Sequence, residues 1–336
     1  MMFPISYLLF FFTLILGSLI SISSSSWFGG WIGLELNMLS FIPLITLKMN
    51  SYFSEAALKY FLIQALGSAL FIYASCLSIS LVNLSYVFIL FALLLKLAAA
   101  PFHFWLPQVA EGLHWPQMFT LSTIQKLAPM VLVSYLCTSP ILTKTIIISA
   151  ILSAIMGAWG GLNLTLLRKI LAFSSINHMS WMLIAISISD SLWLMYFTFY
   201  SLISLSVMMM FYKIQAFSLS QIIQSSQISA LYKIILSFSM LSLGGLPPLS
   251  GFIPKWMLIQ TMININMFFP LFFILTSALI TLYFYLRVSI PMFILSTPTK
   301  NFNTKPNSQT HISSLLLIFT SFNLCGILLP LCPLLM

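Results

Sequence analysis

Apolar stretches separated by short polar or charged segments run along almost the whole chain. A helix that crosses a bilayer needs about 20 mostly apolar residues, and many of these stretches reach that length. Because an unpaired backbone amide is costly in lipid, each stretch is expected to be helical. The pattern predicts eleven spans, near residues 4–22, 27–47, 55–80, 84–101, 115–137, 141–161, 168–188, 190–213, 229–258, 264–292 and 311–332.

Composition supports this interpretation. Of the 336 residues, 60% are hydrophobic and only 5% are charged, whereas about 25% of the residues in a soluble domain are charged. A soluble enzyme, a nucleic-acid-binding protein and a disordered chain are therefore excluded. We expect an all-α polytopic membrane protein, a single transmembrane domain over 1–336 with approximate repeat halves at 4–137 and 141–292 and a C-terminal helix at 311–332.

Positive charge is distributed unequally over the predicted connections. Seven basic residues fall on one side of the membrane and one, Lys144, falls on the other. Such a bias sets the orientation of a membrane protein, with the basic connections inside. With eleven spans, the N-terminus lies on the positive side and the C-terminus opposite. The seven residues are Lys48, Arg168, Lys169, Lys213, Arg287, Lys300 and Lys305.

The informative ionisable residues within predicted spans are Glu35 in WIGLELNMLSFIPL, Lys96 in FALLLKLAAAPFHFW, Lys126 in LSTIQKLAPM and Lys255 in LGGLPPLSGFIPKW. On insertion scales, placing a charged side chain at the centre of a membrane helix costs about 2.5–3.5 kcal/mol, so the presence of each residue requires a structural or functional explanation. A lysine in an apolar environment gives up its proton more readily, and a nearby carboxylate opposes that loss. These residues therefore indicate a proton relay.

A simpler explanation exists for lysines near helix ends, whose long side chains can reach the interface. We favour it for Lys48, Lys213 and Lys233, and it stays open for Lys255. A neutral, hydrogen-bonded side chain is the alternative for Glu35. Outside these positions, Glu55 and Lys59 are four residues apart and predict a local ion pair.

Two predicted spans are interrupted by small residues and proline, in LKLAAAPFHFWLP and LGGLPPLSGFIPKW. Broken helices at membrane depth survive only where they line a cavity or are buried in protein. The two lie five spans apart, and an odd offset inverts the second relative to the first. This arrangement is typical of the inverted repeats of transporters.

The histidines allow two interpretations. His103 at the first break and His178 in SSINHMSWM fit either a relay or a structural hydrogen bond, whereas Glu111 and His114 are expected in a solvated loop. The four cysteines form no CxxC pair, so neither a metal site nor a disulfide is expected. Without GxGxxG, GxxxxGK[ST] or a sizeable polar region, we expect no redox chemistry in this chain.

Several of these segments together resemble a known family. WIGLELNMLSFIPL, EAALKYFLIQALGSALF, LLLKLAAAPFHFWLPQVAEG, IQKLAPM, FSSINHMSWM and LSLGGLPPLSGFIPKW occur in the order found in the chain 2 family of mitochondrial NADH–ubiquinone oxidoreductase, respiratory complex I. The resemblance covers residues about 27 to 260 and fits the animal form, which has eleven spans.

The resemblance implies an antiporter-like, proton-pumping subunit. It makes Glu35 and Lys96 the charged pair of a first half-channel, Lys126 the central lysine and Lys255 the group of a second half-channel. His103 and His178 then become secondary relay positions. The chain itself would carry no cofactor, because NADH, FMN, iron–sulfur clusters and ubiquinone bind to other subunits.

It also implies partners and a location. The partners would be antiporter-like neighbours, small membrane chains, supernumerary subunits and phospholipids. The membrane would be the mitochondrial inner membrane, with the N-terminus on the matrix side and the C-terminus on the intermembrane-space side. An autonomous cation/proton antiporter and a purely structural membrane scaffold remain the alternatives.

Overall fold

The computed structural model describes residues 5–46, 50–78, 82–137, 139–224, 230–294, 321 and 323. Within these residues the regular secondary structure is entirely helical. The helices are α1 (Ile5–Ser23), α2 (Trp27–Ile45), α3 (Ser51–Leu77), α4 (Val82–Leu97), α5 (Trp105–Glu111), α6 (Trp115–Ser122), α7 (Ile124–Leu136), α8 (Pro140–Gly161), α9 (Leu167–Ile188), α10 (Asp190–Ile214), α11 (Leu219–Gln224), α12 (Ala230–Gly244), α13 (Phe252–Asn264) and α14 (Phe268–Ile294). An isolated antiparallel bridge joins Leu166 and Ser218.

Seven of the described helices are long and apolar enough to cross a membrane. They are α1, α2, α3, α8, α9, α10 and α14, and the shorter α4 and the Tyr232–Gly244 part of α12 are also apolar. The chain is therefore an all-helical, multi-pass membrane protein. Most of the predicted eleventh span, 311–332, and the basic residues Lys48, Lys300 and Lys305 lie outside the described residues.

The chain divides into two compact units. The first contains residues up to 153 together with 186–190, and the second contains 154–185 together with the residues from 191 onward. The predicted repeat halves have similar but not identical bounds, and they stay a prediction. Two local arrangements recur between the units and favour such a repeat.

The first recurring arrangement is a turn that interrupts a membrane helix. In the first unit α4 ends at Leu97, Ala98 has a φ of 57°, and the Ala99 amide donates to the Leu94 carbonyl at 3.0 Å. In the second unit α12 ends at Gly244, Gly245 has a φ of 78°, and the Leu246 amide donates to the Leu241 carbonyl at 3.4 Å. Both breaks occur where the sequence predicts them.

The second recurring arrangement is a close helix crossing. A Cβ atom on Gly17 of α1 would lie 2.8 Å from the Asn37 amide nitrogen in α2. A Cβ on Gly157 of α8 would lie 2.7 Å from the Asn177 amide nitrogen in α9. At each crossing the absence of a side chain lets two backbones touch, and an asparagine lies at the point of contact.

Two parts of the structure differ from the sequence-based expectation. The span predicted at 115–137 consists of α6 and α7, separated at Thr123, whose hydroxyl donates to the Phe119 carbonyl at 2.7 Å. A side-chain bond back to a carbonyl four residues earlier competes with regular helix and bends it. His114 is half-buried instead of solvated, because it caps the start of α6 and its ring packs on Phe53 at 4.5 Å.

Candidate functional site

Lys96 is held at the end of α4 directly before the first break. Its side chain is only 7% exposed, and its aliphatic carbons pack on α3 at Gly67, where a Cβ would lie 3.3 Å from the Lys96 Cγ. Beyond the break, the Trp105 indole nitrogen donates to the Leu95 carbonyl at 3.0 Å. The Leu95 carbonyl also accepts from the Ala98 amide at 3.2 Å, so two hydrogen bonds hold the turn that follows Lys96.

Glu35 lies on α2 and is half-buried. Its Oε2 atom is buried and finds no hydrogen-bond partner among the described residues. Glu35 and Lys96 form no direct ion pair in the described part of the chain. The role of Glu35 and Lys96 as a charged pair therefore stays a prediction.

Lys126 is more deeply buried than Lys96, at 2% exposure in the first turn of α7. It shares a small cavity with Lys96, with room for about one water molecule. The other polar residues that line this cavity are Asn37, Tyr60, Gln64 and Gln125. Two buried lysines around one polar cavity can exchange a proton through water.

A hydrogen bond ties the walls of this cavity together. The Tyr60 hydroxyl donates to the Gln125 Oε1 atom at 3.1 Å, which links α3 to α7. Sequence reasoning did not select Asn37, Tyr60, Gln64 or Gln125 because it followed charged groups. Asn37 has a sequence signal all the same, since it is a polar residue two positions after Glu35 in an apolar span.

Lys255 lies in the first turn of α13 in the second unit, and it is 7% exposed. Its ammonium donates to the Gly244 carbonyl at 2.8 Å and to the Leu243 carbonyl at 3.4 Å. It also lies 5.8 Å from the centre of the Trp181 ring, within the range of a cation–π contact. The side chain therefore points back to the second break, where it pairs carbonyls at the end of α12.

The two histidines predicted as secondary relay groups, His103 and His178, lie in different units. His103 is 3% exposed, in the first break. His178 on α9 is 7% exposed, shares a 2.9 Å hydrogen bond between its Nδ1 atom and the Tyr196 hydroxyl, and lines a second small cavity with Tyr196, Tyr200 and Ser242. Lys255 is not among the residues that line this second cavity.

The structure tests two further predictions about charged residues. The predicted pair of Glu55 and Lys59 is confirmed as an ion pair of 2.6 Å on an exposed face of α3. Lys233, for which interface snorkelling was expected, is 6% exposed and therefore buried in the protein.

Within the described residues, no group of three or more His, Cys, Asp or Glu side chains could hold a metal ion; Cys325 and Cys332 lie outside those residues.

Comparison with known proteins identifies the family of this chain. The family described as "NADH:quinone oxidoreductase/Mrp antiporter, TM" matches residues 24–83 and 75–281. The NADH-ubiquinone oxidoreductase chain 2 of Anopheles gambiae is 43% identical over 334 residues, 97% of each chain. The chain belongs to the NADH-ubiquinone oxidoreductase chain 2 family. A mammalian member of this chain 2 family, from Oryctolagus cuniculus, is 39% identical over 98% of each chain.

A solved structure has the same fold. A chain in the structure of respiratory complex I from Thermus thermophilus with bound aureothin superimposes with a TM-score of 0.80, at 23% identity. The match covers 98% of this chain and 79% of that chain. At this identity the likeness establishes the fold, and the assignment of roles to residues depends on the geometry described above.

Proposed function

We propose that the chain is a core membrane-arm subunit of respiratory complex I. In this role it translocates protons across the inner membrane, coupled to NADH oxidation and ubiquinone reduction in partner subunits. Near full-length similarity to chain 2 relatives supports membership of that assembly. The observation that carries the proton-translocating role is the cavity shared by the buried lysines Lys96 and Lys126.

The first unit supplies a short proton path. We assign Glu35 the role of the partner carboxylate of Lys96, whose charge or position controls how firmly Lys96 holds its proton. A proton that leaves Lys96 passes through the polar cavity and is taken up by the amine of Lys126. Moving one charge across the membrane costs about 2.3 kcal/mol per 100 mV, and redox chemistry in partner subunits supplies this work.

In the second unit we assign Lys255 the role of the next proton carrier. Its hydrogen bonds to the Gly244 and Leu243 carbonyls hold the ammonium at the break, where these backbone oxygens can also accept a hydrogen bond from a group that delivers a proton. His178, with Tyr196, is proposed as a secondary relay group beside the second cavity, and His103 as a secondary group at the first break.

The proposed setting follows from the same assignment. NADH, FMN, iron–sulfur clusters and ubiquinone bind to other subunits. The neighbours are antiporter-like chains, small membrane chains, supernumerary subunits and phospholipids. The chain lies in the mitochondrial inner membrane with its N-terminus in the matrix, as the bias of basic residues favours.

An autonomous cation/proton antiporter of the same fold is the second candidate, because the matching family description includes Mrp antiporters. A dedicated Na⁺ site needs several oxygen ligands with negative charge. Among the described residues, no Asp or Glu side chain lines the first cavity, and Asp190 lies at the start of α10. The purified chain would exchange Na⁺ or K⁺ for H⁺ in liposomes only if this alternative holds.

The test of the proposed function is the substitution Lys126→Met in the assembled complex, reconstituted in proteoliposomes. We expect proton-coupled NADH:ubiquinone turnover to fall by about tenfold or more, because a carrier of the proton is removed. NADH reaction with an artificial acceptor should be unchanged. The exposed Lys59→Met is the matched control and should pump normally. Normal pumping in an assembled Lys126→Met complex would refute the proposal.

A further inference from the structure

The first cavity contains two uncharged polar atoms that lack hydrogen-bond partners. The Oδ1 atom of Asn37 and the Nε2 atom of Gln125 are both buried, and neither is paired among the described residues. Asn37 is only 2% exposed. Both side chains line the cavity that Lys96 and Lys126 share, with an acceptor on α2 and a donor on α7. A buried polar atom without a hydrogen-bond partner is destabilising, so both atoms favour a ligand.

The size and chemistry of this cavity fit a single water molecule. The cavity has room for about one water, and a buried water typically makes about three hydrogen bonds to otherwise unpaired groups. Every amide side chain carries both a donor and an acceptor, so the pair can hold water whichever way each amide is turned. Because Tyr60 donates to the Gln125 Oε1 atom, the Gln125 amide is held in place with its nitrogen free to donate.

The second unit provides an internal comparison. Asn177 occupies the same kind of glycine crossing as Asn37, but its amide is used within the protein. Its Oδ1 atom accepts from the hydroxyls of Ser277 and Ser180, each at 3.4 Å, and its Nδ2 atom donates to the Ser277 carbonyl. The crossing therefore does not by itself leave an asparagine unpaired. The unpaired acceptor is specific to the unit in which the asparagine lines a cavity with two lysines.

We propose that Asn37 and Gln125 bind one water molecule between Lys96 and Lys126 and act as positioning residues for the proton that passes between these lysines. This inference rests on the proposed function. The water donates one hydrogen to Asn37 Oδ1 and accepts one from Gln125 Nε2. Its second lone pair faces the ammonium and its second hydrogen faces the neutral amine.

The transfer is balanced in protons and charge. One lysine gives a proton to the water oxygen, and the water gives its own proton to the amine of the other lysine. The site is left with one water and one ammonium, as before. Neither amide takes part as an acid or a base, so the pair orients the water without retaining the proton. Serial transfer of this kind depends on alignment, and a small misplacement can lower a rate by about a hundredfold.

The experiment uses the assembled complex in proteoliposomes. Asn37→Leu and Gln125→Leu keep approximate size but remove the polar atoms. We expect each to lower coupled turnover by about tenfold and to increase its solvent deuterium isotope effect, with artificial-acceptor activity unchanged. Asn37→Ser, which keeps a hydroxyl and leaves room for water, should retain more than half of the native turnover. The double Leu variant should be no slower than the slower single variant, since both disrupt one water site.

Asn177→Leu is the matched control, because it removes an amide with a structural role. It should lower the amount of assembled complex, and the complex that does assemble should have the native isotope effect. The proposal is overturned if Asn37→Leu pumps at the native rate, or if Asn37→Ser is as impaired as Asn37→Leu. When these results occur while Lys126→Met still abolishes pumping, only the water site is wrong. If Lys126→Met also pumps normally, the proposed function fails as well.

Discussion

The Lys255 ammonium donates a 2.8 Å hydrogen bond to the carbonyl oxygen of Gly244, the last residue of α12. The last carbonyls of a helix have no amide partner within it, and in a membrane no solvent replaces that partner. Lys255 supplies it from the first turn of α13. The adjacent Gly245 makes this contact possible, because a Cβ there would lie 2.8 Å from the Lys255 Cδ atom and its φ of 78° suits glycine.

Substitutions of Lys255 can separate this structural bond from proton transfer. Lys255→Gln keeps a donor for the carbonyls but cannot carry a proton, whereas Lys255→Met removes both. We expect Lys255→Gln to assemble normally and to lose about tenfold or more of coupled turnover. Lys255→Met should in addition lower the yield of assembled complex, because unpaired carbonyls cost about 1–3 kcal/mol.

Native-gel quantification of the complex and the proton-to-electron ratio in proteoliposomes measure the two effects of Lys255. Full pumping by Lys255→Gln would show that the lysine serves only as a cap for the end of α12. Equal assembly of the Gln and Met variants would contradict the structural part of the prediction.

The helix pattern was predictable because it depends on length and polarity. Uninterrupted apolar runs place α1, α2, α3 and α8 close to where the sequence suggests. The breaks after Leu97 and Gly244 were also predictable, since small residues and proline interrupt an apolar run at each. The interruption at Thr123 was not, because a single threonine is compatible with a continuous helix and its bond to Phe119 depends on the local geometry.

The candidate site was predictable in part for a similar reason. Lys96 and Lys126 stand out in sequence because a charge within a span is costly. Asn37 and Gln125 carry no charge, and their importance depends on which cavity they line and which partners they lack. Those properties arise only when α2 and α7 are brought together. The buried position of Lys233 was missed because sequence places it near a helix end and does not show what packs around it.

The crossing of α1 and α2 predicts a sharp difference between two glycines on the same helix. A Cβ on Gly33 would lie 2.6 Å from the Gly17 carbonyl oxygen, whereas on Gly30 it would find its nearest neighbour, the Ser24 hydroxyl, at 3.5 Å. Gly33→Ala must therefore push the two helices apart and displace Asn37. Gly30→Ala fits into the existing space and should gain about 1 kcal/mol of helix propensity.

We expect Gly33→Ala to reduce the amount of assembled complex severalfold and Gly30→Ala to leave it unchanged or raised. The measurement is the intensity of the NADH-dehydrogenase-active band on a native gel, together with the temperature at which that band is lost. Equal behaviour of the two alanine variants would contradict the close crossing.

The second break is also tied to a residue far along the chain. The side-chain Nδ2 atom of Asn323 donates to the Ser206 hydroxyl at 2.9 Å, and its Oδ1 atom accepts from the Ser250 hydroxyl at 3.4 Å. The Ser250 amide donates to the Asn323 carbonyl at 3.2 Å. Asn323 is 2% exposed, so these bonds form out of contact with solvent. Asn323 therefore connects α10 to the turn between α12 and α13, which carries Lys255 at its far end.

Asn323→Ala leaves the Ser206 and Ser250 hydroxyls without this partner, at a cost of about 1–3 kcal/mol. We expect it to lower the thermal stability of the assembled complex and to reduce its coupled turnover, because the loosened turn no longer holds Lys255 against the Gly244 carbonyl. The exposed Asn264→Ala at the end of α13 is the control and should have neither effect. Should Asn323→Ala lower stability but pump with the native proton-to-electron ratio, the link from Asn323 to the proton path is refuted while its structural role stands.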